Sequence, residues 1–435
     1  MRARLTSTQQ PEQAGVTRRR RVVAQNNDAV RPAQRSRAAS TGVNPARTKQ
    51  STVPETAFLE GPPRERICRI FGESYDPVRW QDWRWQMRHR LIRPEHFGQF
   101  LALTAAERRG LQLAQEKFSV AVTPHFAELI DPDDPDCPIR KQVIPREEEL
   151  VVSRGDMVDP CGEDHDSPVP GLVHRYPDRV LLLALDSCAS YCRYCTRSRL
   201  VSQGELEPLP KRVDAIVDYL EAHTEVRDVL LSGGDPLLMS DDRLDDYLGR
   251  IRAIDHIEFV RIGSRVPSFL PQRITPELVA VLRRHRVWLS LHFCHAREIT
   301  PEVASACEML ADGGIPLGSQ TVLLRGVNDQ VETLRTLFHA LLKVRVRPYY
   351  LYQCDPVVGT GHFRTSVRRG MELIAGLRGF TTGYAVPSYV IDAPGGGGKV
   401  PIQVETVLRY DDDGTVEIRN WAGETYTYLD PEHRS

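Results

Sequence analysis

The hydrophobic pattern of the chain changes after Arg179, and this change constrains the fold more than any other feature. From there on, short apolar runs alternate with amphipathic segments of about a dozen residues, which is typical of repeated β-α units. The runs predicted to be strands are Val180–Asp186, Asp228–Ser232, Phe259–Gly263, Val287–Phe293, Pro316–Leu324, Arg347–Gln353 and Ser388–Ile391. The segments predicted to be helices are Arg212–His223, Asp242–Ile254, Pro276–Arg284, Pro301–Asp312, Val331–Val344 and Met371–Leu377. Because apolar strands that alternate with helices form parallel sheets, the sequence predicts an α/β fold with a partial (β/α)6-type barrel.

Composition divides the rest of the chain around this barrel. We predict a disordered basic tail, a helical N-terminal region, the barrel and a C-terminal extension, which span residues 1–55, 56–165, 166–400 and 401–435. The tail has almost no aliphatic periodicity, so it cannot bury enough apolar surface to offset the entropy of ordering.

The helical N-terminal region is predicted from the spacing of its apolar residues. Trp83, Met87 and Leu91 follow one another at intervals of four, with charged residues between them, which indicates one face of a helix. The segment 129–145 is so rich in Pro and Asp that we expect an ordered connection without a regular element.

The distribution of charge excludes some classes of protein. The 435-residue chain has a net charge of −1, but residues 1–50 carry eleven Arg and Lys against two acidic residues, which leaves −10 for residues 51–435. An acidic body argues against a nucleic-acid-binding core. The basic run 18–21 has three interpretations, namely a patch for nucleic acid or membrane surfaces, part of a transit peptide, or a solvated tail.

Cysteine usage and hydropathy indicate the compartment. No stretch approaches the roughly 18 apolar residues of a membrane span, and the N-terminus lacks the apolar segment of a signal peptide. The nine cysteines are an odd number, and three of them fall within eight residues, unlike those of a secreted disulfide scaffold. We therefore expect a cytoplasmic protein with no membrane partner.

Three cysteines have the spacing of cluster ligands. Cys188, Cys192 and Cys195 follow the first predicted barrel strand, and barrel enzymes assemble their sites from the loops at strand ends. Three thiolates can hold three irons of a [4Fe–4S] cluster and leave the fourth iron open. A closed zinc site needs a fourth ligand. In the alternative interpretation His174 is that ligand, and the chain is a zinc-binding protein without catalytic activity.

Two glycine-rich segments also follow predicted strands. In Ser232–Asp235 the two glycines allow a ligand to approach the backbone closely, although a simple turn explains them equally well. Gly395–Gly398 precede Lys399, whose amine can form a Schiff base with pyridoxal phosphate, whereas a flexible loop explains the composition too. A Walker loop is disfavoured, because Ala393 stands in place of its first Gly and Val400 in place of its Ser or Thr.

Together these motifs resemble the lysine 2,3-aminomutase family of the radical S-adenosylmethionine superfamily. The CxxxCxxC motif of the superfamily matches at all three cysteines. The similarity covers roughly Trp80 to Tyr428 and includes the segments WQDWRWQ, DPDDPDCPIRKQVIP, DSPVPGLVHRYPDRV, VRDVLLSGGD, RIGSRVP, LPQRITPEL, LLRGVND, VRPYYLYQCD and DAPGGGGK.

The resemblance implies a role for each matching residue. It implies that the three cysteines bind the [4Fe–4S] cluster and that Lys399 is a catalytic residue that carries pyridoxal 5′-phosphate. The residues implied to lie against S-adenosyl-L-methionine are Ser232, Gly233, Gly234, Asp235, His292 and Gln320, and those implied to hold the phosphate of pyridoxal phosphate are Arg175 and Arg179.

The resemblance also assigns three substrate-binding residues. Arg197 is implied to bind the substrate carboxylate, and Asp355 and Asp392 are implied to hold a cationic side chain, each contributing about 4 kcal/mol before desolvation. The structural alternative for either aspartate is a salt bridge to Arg347 or Arg364.

The implied activity is that of an isomerase that moves the α-amino group of a basic L-amino acid to carbon 3. Conversion of L-lysine to β-lysine is favoured, and the alternative is an arginine 2,3-aminomutase that makes β-arginine for antibiotic biosynthesis. A glutamate-specific member is expected to lack the two aspartates. The implied partners are a small basic amino acid and an electron donor such as flavodoxin or ferredoxin, and we expect a homo-oligomer.

The chain departs from well-known bacterial members of the family at a few positions. Cys294 replaces an Asn, Ala296 replaces a Pro, and Thr360-Gly361 replaces a Leu-Glu pair. We expect these changes to lie beside the substrate pocket and to leave room for a bulkier cation than lysine. Because no cysteine follows Cys354, we expect no structural zinc at the C-terminal end.

Overall fold

Short helices dominate the first part of the chain that the structure describes. The computed structural model describes residue 59 and residues 61–117, 119–201, 206–403 and 405–430. The predicted tail and its basic run therefore lie outside the described residues. The first seven helices are Pro63–Ile70 (α1), Pro77–Trp80 (α2), Trp83–Arg88 (α3), Pro94–Phe100 (α4), Ala105–Lys117 (α5), Pro124–Glu128 (α6) and Pro138–Val143 (α7).

Two predictions for this region are wrong in detail. The helix that begins at Trp83 ends at Arg88, and Leu91 instead forms an isolated bridge with Val122. The segment 129–145 contains α7, although it is rich in Pro and Asp. Its proline stands at the first helical position, where a missing N–H costs no hydrogen bond, and Ile139 is fully buried.

A nine-stranded sheet follows, and its strands are neighbours in chain order. Strands β2 to β8 are parallel, while β1 and β9 pair antiparallel at the two edges. The bounds are Leu172–Tyr176 (β1), Arg179–Leu185 (β2), Asp228–Gly233 (β3), Phe259–Ser264 (β4), Trp288–His292 (β5), Leu317–Leu323 (β6), Arg347–Gln353 (β7), Ser388–Ala393 (β8) and Gly398–Pro401 (β9).

The sheet curves so that its two edges meet. The backbone N–H of Lys399 on β9 donates a hydrogen bond to the hydroxyl of Tyr176 on β1, at 2.7 Å. The six predicted β-α units and the partial barrel are thus confirmed. The two antiparallel edge strands were not predicted, because their sequences, LVHRY and GKVP, are not apolar runs.

Helices cover the outer side of the parallel strands. They are Leu209–Ala222 (α8), Asp241–Arg252 (α9), Val266–Phe269 (α10), Pro276–Arg284 (α11), Pro301–Asp312 (α12), Val331–Lys343 (α13) and Val367–Leu377 (α14). Two of them start from a threonine followed by proline. Thr275 and Thr300 accept hydrogen bonds from the backbone N–H three residues later, which caps α11 and α12.

The strands alternate between the helical layer and the barrel interior. On β6, Leu317, Ser319, Thr321 and Leu323 are buried, and the residues between them, which include Gln320, are half-buried. Since successive side chains of a strand point to opposite faces, Gln320 lies on the inner face. Polar residues on this face and in the loops at the carboxyl ends of the strands form the candidate site.

The C-terminal extension contains a small antiparallel sheet. Its strands are Val407–Tyr410 (β10), Thr415–Arg419 (β11) and Thr425–Leu429 (β12). Many of its apolar side chains are exposed, including Tyr426, Tyr428 and Leu429. In the described part of the chain, no helix has both the length and the apolar character that a membrane crossing requires.

Candidate active site

The three predicted cluster ligands lie in the loop that follows β2. Cys188, Cys192 and Cys195 are half-buried and line one cavity together with residues 358–360. Burial raises the pKa of the Cys195 thiol to about 11, and the neighbouring Cys192 raises it further. Burial also raises the pKa of Cys188, with Asp235 and the other two thiols adding to the effect. These thiols therefore face one another in a confined space.

The separation of the thiols distinguishes a cluster from a single zinc ion. In the described part of the chain, one group of Cys, His, Asp or Glu side chains has three ligand atoms within 4.8 Å of one another, and it does not include these cysteines. Donors around one zinc ion lie about 3.5 Å apart, whereas each cysteine of a [4Fe–4S] cluster binds a different iron. His174, the fourth ligand in the zinc interpretation, is hydrogen-bonded to the Tyr219 hydroxyl at 2.7 Å. The thiols fit the cluster.

Two glycines bring the loop after β3 directly onto the backbone that leads to the cysteines. Gly233 has a φ of +105°, and a Cβ there would lie 2.5 Å from the carbonyl oxygen of Leu185. A Cβ at Gly234 would lie 2.2 Å from the carbonyl oxygen of Ser187. Any side chain at either position would separate the two loops, so the glycines are required by this close approach.

Asp235, the last residue of this motif, connects the loops after β3 and β4. Its carboxylate accepts hydrogen bonds from the Ser264 hydroxyl at 2.8 Å and from the backbone N–H groups of Arg265, Val266 and Leu237 at 2.7, 3.0 and 3.2 Å. Burial nevertheless raises the pKa of Asp235 to about 6. The side chain thus has a structural task, and its predicted contact with S-adenosylmethionine stays a prediction.

Arg265 was not predicted as a site residue, although it belongs to the segment RIGSRVP and directly follows β4. Its buried guanidinium donates a hydrogen bond to the Cys192 sulfur at 2.8 Å and forms an ion pair with buried Glu298 at 3.3 Å. It also donates to the Tyr194 hydroxyl and to the side-chain oxygen of Gln142. The surroundings of the cysteines are therefore held by a closed polar network.

His292 and Gln320 lie side by side on the inner face, at neighbouring positions of β5 and β6. Burial lowers the pKa of His292 to about 3, and the positive charge of Arg265 adds to this effect, so the imidazole is neutral. Within the described residues, no hydrogen bond is made by the side-chain amide of Gln320. Both side chains can therefore donate to or accept from a nucleotide, as predicted for S-adenosylmethionine.

Lys399 is the second residue of β9, the return strand of a glycine-rich hairpin that starts from β8. Gly395, Gly396 and Gly398 have φ values of +75°, +91° and +77°, which side-chain-bearing residues rarely adopt. The Lys399 ammonium lies 3.0 Å from Asp392 Oδ1 and 5.4 Å from the centre of the Tyr352 ring. An amine beside an aromatic face and a side-chain-free turn fits a planar cofactor such as pyridoxal phosphate.

The two arginines predicted to hold the phosphate lie near this hairpin. Arg175 donates to Asp166 at 2.8 Å, and a Cβ at Gly396 would lie 3.8 Å from its Nε. Arg179 stacks on the ring of Tyr176 at 3.9 Å, and the Tyr176 hydroxyl in turn contacts Lys399. Both positions suit a phosphate group attached to a ring at Lys399.

The predicted substrate-binding residues converge on the same end of the barrel. Arg197 donates two hydrogen bonds, from Nε and Nη2, to the buried carboxylate of Glu163 at 2.9 and 2.7 Å. The Asp355 carboxylate accepts a hydrogen bond from Thr196 at 2.6 Å. Glu163 and Thr196 were not predicted, because no local pattern shows that they face these residues.

Asp355 is a half-buried carboxylate without an ion-pair partner among the described residues. Burial raises its pKa to about 6, and the nearby Asp392 adds to this effect. Lys399 pairs with Asp392 and Arg197 with Glu163, but no ion pair to Asp355 is present within the described residues.

The structural alternative for the two aspartates is not observed. Arg364 forms its ion pair with Asp156, and Arg347 lies over the ring of Tyr384. Within the described residues, Asp355 is therefore a carboxylate of the pocket that has no ion pair of its own, and Lys399 and Arg197 act on it only from beyond ion-pair distance.

We expected the positions that depart from the family pattern to lie beside the substrate pocket, and this is not true of all of them. Cys294 is fully buried against the Tyr194 hydroxyl, 3.0 Å away, and lies 3.4 Å from His292, on the side of the predicted nucleotide residues. Thr360 does contact a predicted substrate residue, because its hydroxyl donates to the carbonyl oxygen of Asp355 at 3.0 Å.

Comparison with known proteins agrees with this geometry. Residues 183–337 match the model of the radical SAM superfamily, so the barrel and its cysteine loop are those of a radical S-adenosylmethionine enzyme. Residues 374–435 match the family model described as lysine-2,3-aminomutase.

Named relatives cover most of the chain. It is 52% identical to an L-lysine 2,3-aminomutase of Clostridium subterminale, over 84% of this chain and 88% of the relative. Identity to the L-lysine 2,3-aminomutase of Bacillus subtilis is 46%, over 82% of this chain and 75% of the relative. Identity to a glutamate 2,3-aminomutase of Clostridioides difficile is 39%, over 83% and 85%. The chain belongs to the lysine 2,3-aminomutase family, and it is an isomerase whose cofactors are a [4Fe–4S] cluster, S-adenosylmethionine and pyridoxal phosphate.

Proposed function

We propose that this enzyme moves the α-amino group of L-lysine from carbon 2 to carbon 3 and so makes β-lysine. The observation that carries the proposal is the unbalanced carboxylate of Asp355. It is half-buried, it lies beside a second carboxylate, Asp392, and it accepts a single side-chain hydrogen bond, from Thr196. A cationic side chain of the substrate would supply the missing positive charge.

The same charge disfavours an acidic substrate. A side-chain carboxylate placed about 4 Å from Asp355 would be repelled by about 4 kcal/mol at an effective dielectric near 20, and a cation would be attracted by the same amount. The relative named as a glutamate 2,3-aminomutase is also the least similar of the three described above. A basic amino acid is therefore the substrate class that the pocket favours.

Each polar group of the pocket has a task in this proposal. The carboxylate of the substrate binds Arg197, whose planar guanidinium is oriented by two hydrogen bonds to Glu163. Asp355 and Asp392 hold the distal cation and so fix the extended substrate at both ends. The barrel around them excludes water from carbons 2 and 3.

The cofactors would be held at the two ends of this pocket. Cys188, Cys192 and Cys195 would bind the cluster, His292 and Gln320 would contact S-adenosylmethionine, and Lys399 would carry pyridoxal phosphate. Bound there, the cluster supplies the electron that cleaves S-adenosylmethionine, and pyridoxal phosphate supplies a conjugated ring that delocalises an unpaired electron. Reduction of the cluster requires an electron donor such as flavodoxin or ferredoxin.

L-Arginine is the second candidate substrate, since its guanidinium also suits two carboxylates. Thr360 supports the backbone of Asp355, and Thr360-Gly361 is smaller than the pair in well-known relatives, which leaves room for a larger cation. The names of the two most similar relatives described above support lysine.

A competition assay tests the proposal. Anaerobically reconstituted enzyme receives equal concentrations of L-lysine, L-arginine and L-glutamate, with S-adenosylmethionine, pyridoxal phosphate and dithionite, and the β-amino acids are separated by chromatography. We expect β-lysine as the main product. β-Arginine as the main product would replace lysine in the proposal, and β-glutamate would overturn the role of Asp355.

We also propose that the enzyme is a homo-oligomer that associates through its C-terminal sheet. The support is the exposed apolar surface of this sheet, on which the side chain of Leu429 is 71% exposed. Sedimentation of Leu429→Lys is expected to show dissociation, whereas Val152→Lys, at an equally exposed position outside the sheet, leaves the assembly intact. An assembly unchanged by Leu429→Lys would contradict this interface.

A further inference from the structure

We propose that Cys161, Asp355 and Asp392 form an inhibitory site for a thiophilic divalent cation such as Zn²⁺, which competes with the cationic side chain of the substrate. One sulfur and two carboxylate oxygens of these residues lie within 4.8 Å of one another. The competition rests on the proposed function, whereas the binding of the metal ion does not.

The thiol is the observation that separates this cluster from a pair of acidic residues. Cys161 is more than nine-tenths buried, and no hydrogen bond is made by its sulfur among the described residues. The sulfur instead faces the two carboxylates. Burial raises the pKa of this thiol to about 12, and the negative charges of Asp355 and Asp392 contribute to the increase. A buried thiol against two carboxylates has no favourable partner until a cation enters.

The loop that carries Cys161 is held firmly against the hairpin of Lys399. The carbonyl oxygen of Pro160 accepts a hydrogen bond from the N–H of Gly395 at 2.9 Å, and the carbonyl of Cys161 itself accepts one from Arg175. A Cβ at Gly162 would lie 3.1 Å from the backbone of Gly395 and Gly396, so the two segments are in direct contact. The three donors are therefore preorganised on a rigid support.

The donor set selects the kind of metal ion. Zinc binds cysteine sulfur at about 2.3 Å and carboxylate oxygen at about 2.0 Å, so the three donors need to approach one another by about 1 Å. Calcium and magnesium prefer sites made of oxygen atoms and gain nothing from the thiol. On binding, the thiol releases its proton to solvent, and the thiolate and two carboxylates leave a fourth position open for water.

Competition follows from the shared carboxylates. Asp355 and Asp392 cannot bind a zinc ion and the ammonium of the substrate at the same time. Lys399, which pairs with Asp392 at 3.0 Å, must also move away from it when a metal ion enters. Zinc is therefore expected to raise the apparent KM for L-lysine without lowering kcat.

Zinc binding is measured directly on the holoenzyme. Protein loaded with cluster and pyridoxal phosphate is dialysed anaerobically against buffered Zn²⁺, and zinc and iron are quantified by mass spectrometry. The wild-type chain, Cys161→Ser and the control Cys307→Ser are compared, because Cys307 is also a fully buried cysteine but lies in α12. We expect one more zinc ion per chain in the wild type and the control than in Cys161→Ser, at equal iron content.

A second dialysis includes L-lysine and separates the two parts of the proposal. Displacement of the Cys161-dependent zinc by L-lysine is the expected result. Equal zinc in the wild type and Cys161→Ser, with intact iron in both, would overturn the metal site. Cys161-dependent zinc that L-lysine does not displace would overturn the competition and the substrate contacts of Asp355 and Asp392, while the metal site would stand.

Discussion

Two aspartates of the site, one buried and one half-buried, have the same raised pKa but different surroundings. Burial raises the pKa of both Asp235 and Asp355 to about 6. Asp235 accepts hydrogen bonds from a serine hydroxyl and three backbone N–H groups, so its surroundings are complete without a ligand. Asp355 accepts one side-chain hydrogen bond and faces Asp392. The surroundings of Asp235, on the predicted nucleotide side of the barrel, are thus complete within the protein, whereas Asp355, on the predicted substrate side, has a negative charge that a bound cation would balance.

The largest effect is expected from replacing Lys399, which pairs with Asp392 on the predicted substrate side. Replacement Lys399→Ala removes the amine that would carry pyridoxal phosphate, so turnover is expected to fall at least about 1,000-fold. The cysteines predicted to bind the cluster lie on the other side, so the cluster should keep its absorbance near 400 nm. Lys211→Ala, at an exposed lysine of α8, is the control and should turn over normally. Full activity of Lys399→Ala without an added amine would refute the assigned role.

The second prediction exchanges the charge of Asp355 for a neutral amide of equal size. In Asp355→Asn the attraction for the substrate cation is lost, and the KM for L-lysine is expected to rise about 100-fold, somewhat less than the full Coulomb energy of about 4 kcal/mol allows. Affinity for S-adenosylmethionine, measured by equilibrium dialysis, should not change.

The matching replacement on the predicted nucleotide side, Asp235→Asn, should affect the binding of S-adenosylmethionine and not the KM for L-lysine. In Asp235→Asn an amide group replaces one carboxylate oxygen and cannot accept from the N–H groups on its side. We expect a lower melting temperature and weaker binding of S-adenosylmethionine, with the KM for L-lysine nearly unchanged. Equal effects of both replacements on KM would remove the distinction between the two sides.

Local sequence patterns predicted one side of the site better than the other. The cysteine motif and the glycine motif Ser232–Asp235 are each a short continuous segment of the chain. The structure brings the two segments together in the loops after β2 and β3. The parallel strands were predicted because short, largely apolar runs alternate with amphipathic segments of helical length. The pairs Arg197 with Glu163 and Thr196 with Asp355 join residues 34 and 159 positions apart, and no periodicity reports such contacts.

Edge strands and the thiol of the substrate pocket were missed for a related reason. Strands β1 and β9 are not apolar runs, since β1 contains His174 and Arg175 and β9 contains Lys399. Cys161 belongs to no sequence motif. It becomes a candidate metal ligand only because the fold places Asp355 and Asp392 beside it. The hydrophobic pattern of the strands was thus sufficient to predict the barrel. The contacts on the substrate side are made by loops at the end of the barrel, and the sequence pattern does not show them.

The fourth prediction uses pH to change the charge of Asp355. Because the pKa of this carboxyl is raised to about 6, it takes up a proton as the pH falls through 6, and the neutral acid no longer attracts a cation. At saturating S-adenosylmethionine, kcat/KM for L-lysine is expected to fall about 10-fold from pH 7 to pH 5.

The groups that face Asp355 set the control for this experiment. They include Asp392, Lys399, Arg197, Cys161, Tyr352 and Cys354. If Asp355 is the group that titrates, the fall below pH 6 should disappear in Asp355→Asn. A fall that persists in this variant would assign the titration to another group.

The smallest expected effect concerns the orientation of Arg197. Glu163 fixes the guanidinium by two hydrogen bonds, and its loss in Glu163→Ala lets the guanidinium turn away from the substrate carboxylate. We expect the KM for L-lysine to rise about fivefold, or about 1 kcal/mol, with kcat less affected. Glu163→Gln keeps one acceptor and should recover most of this loss. Asp164→Asn, at the exposed neighbouring residue, should match the wild type. A lower KM in Glu163→Ala would mean that Glu163 competes with the substrate for Arg197 and does not position it.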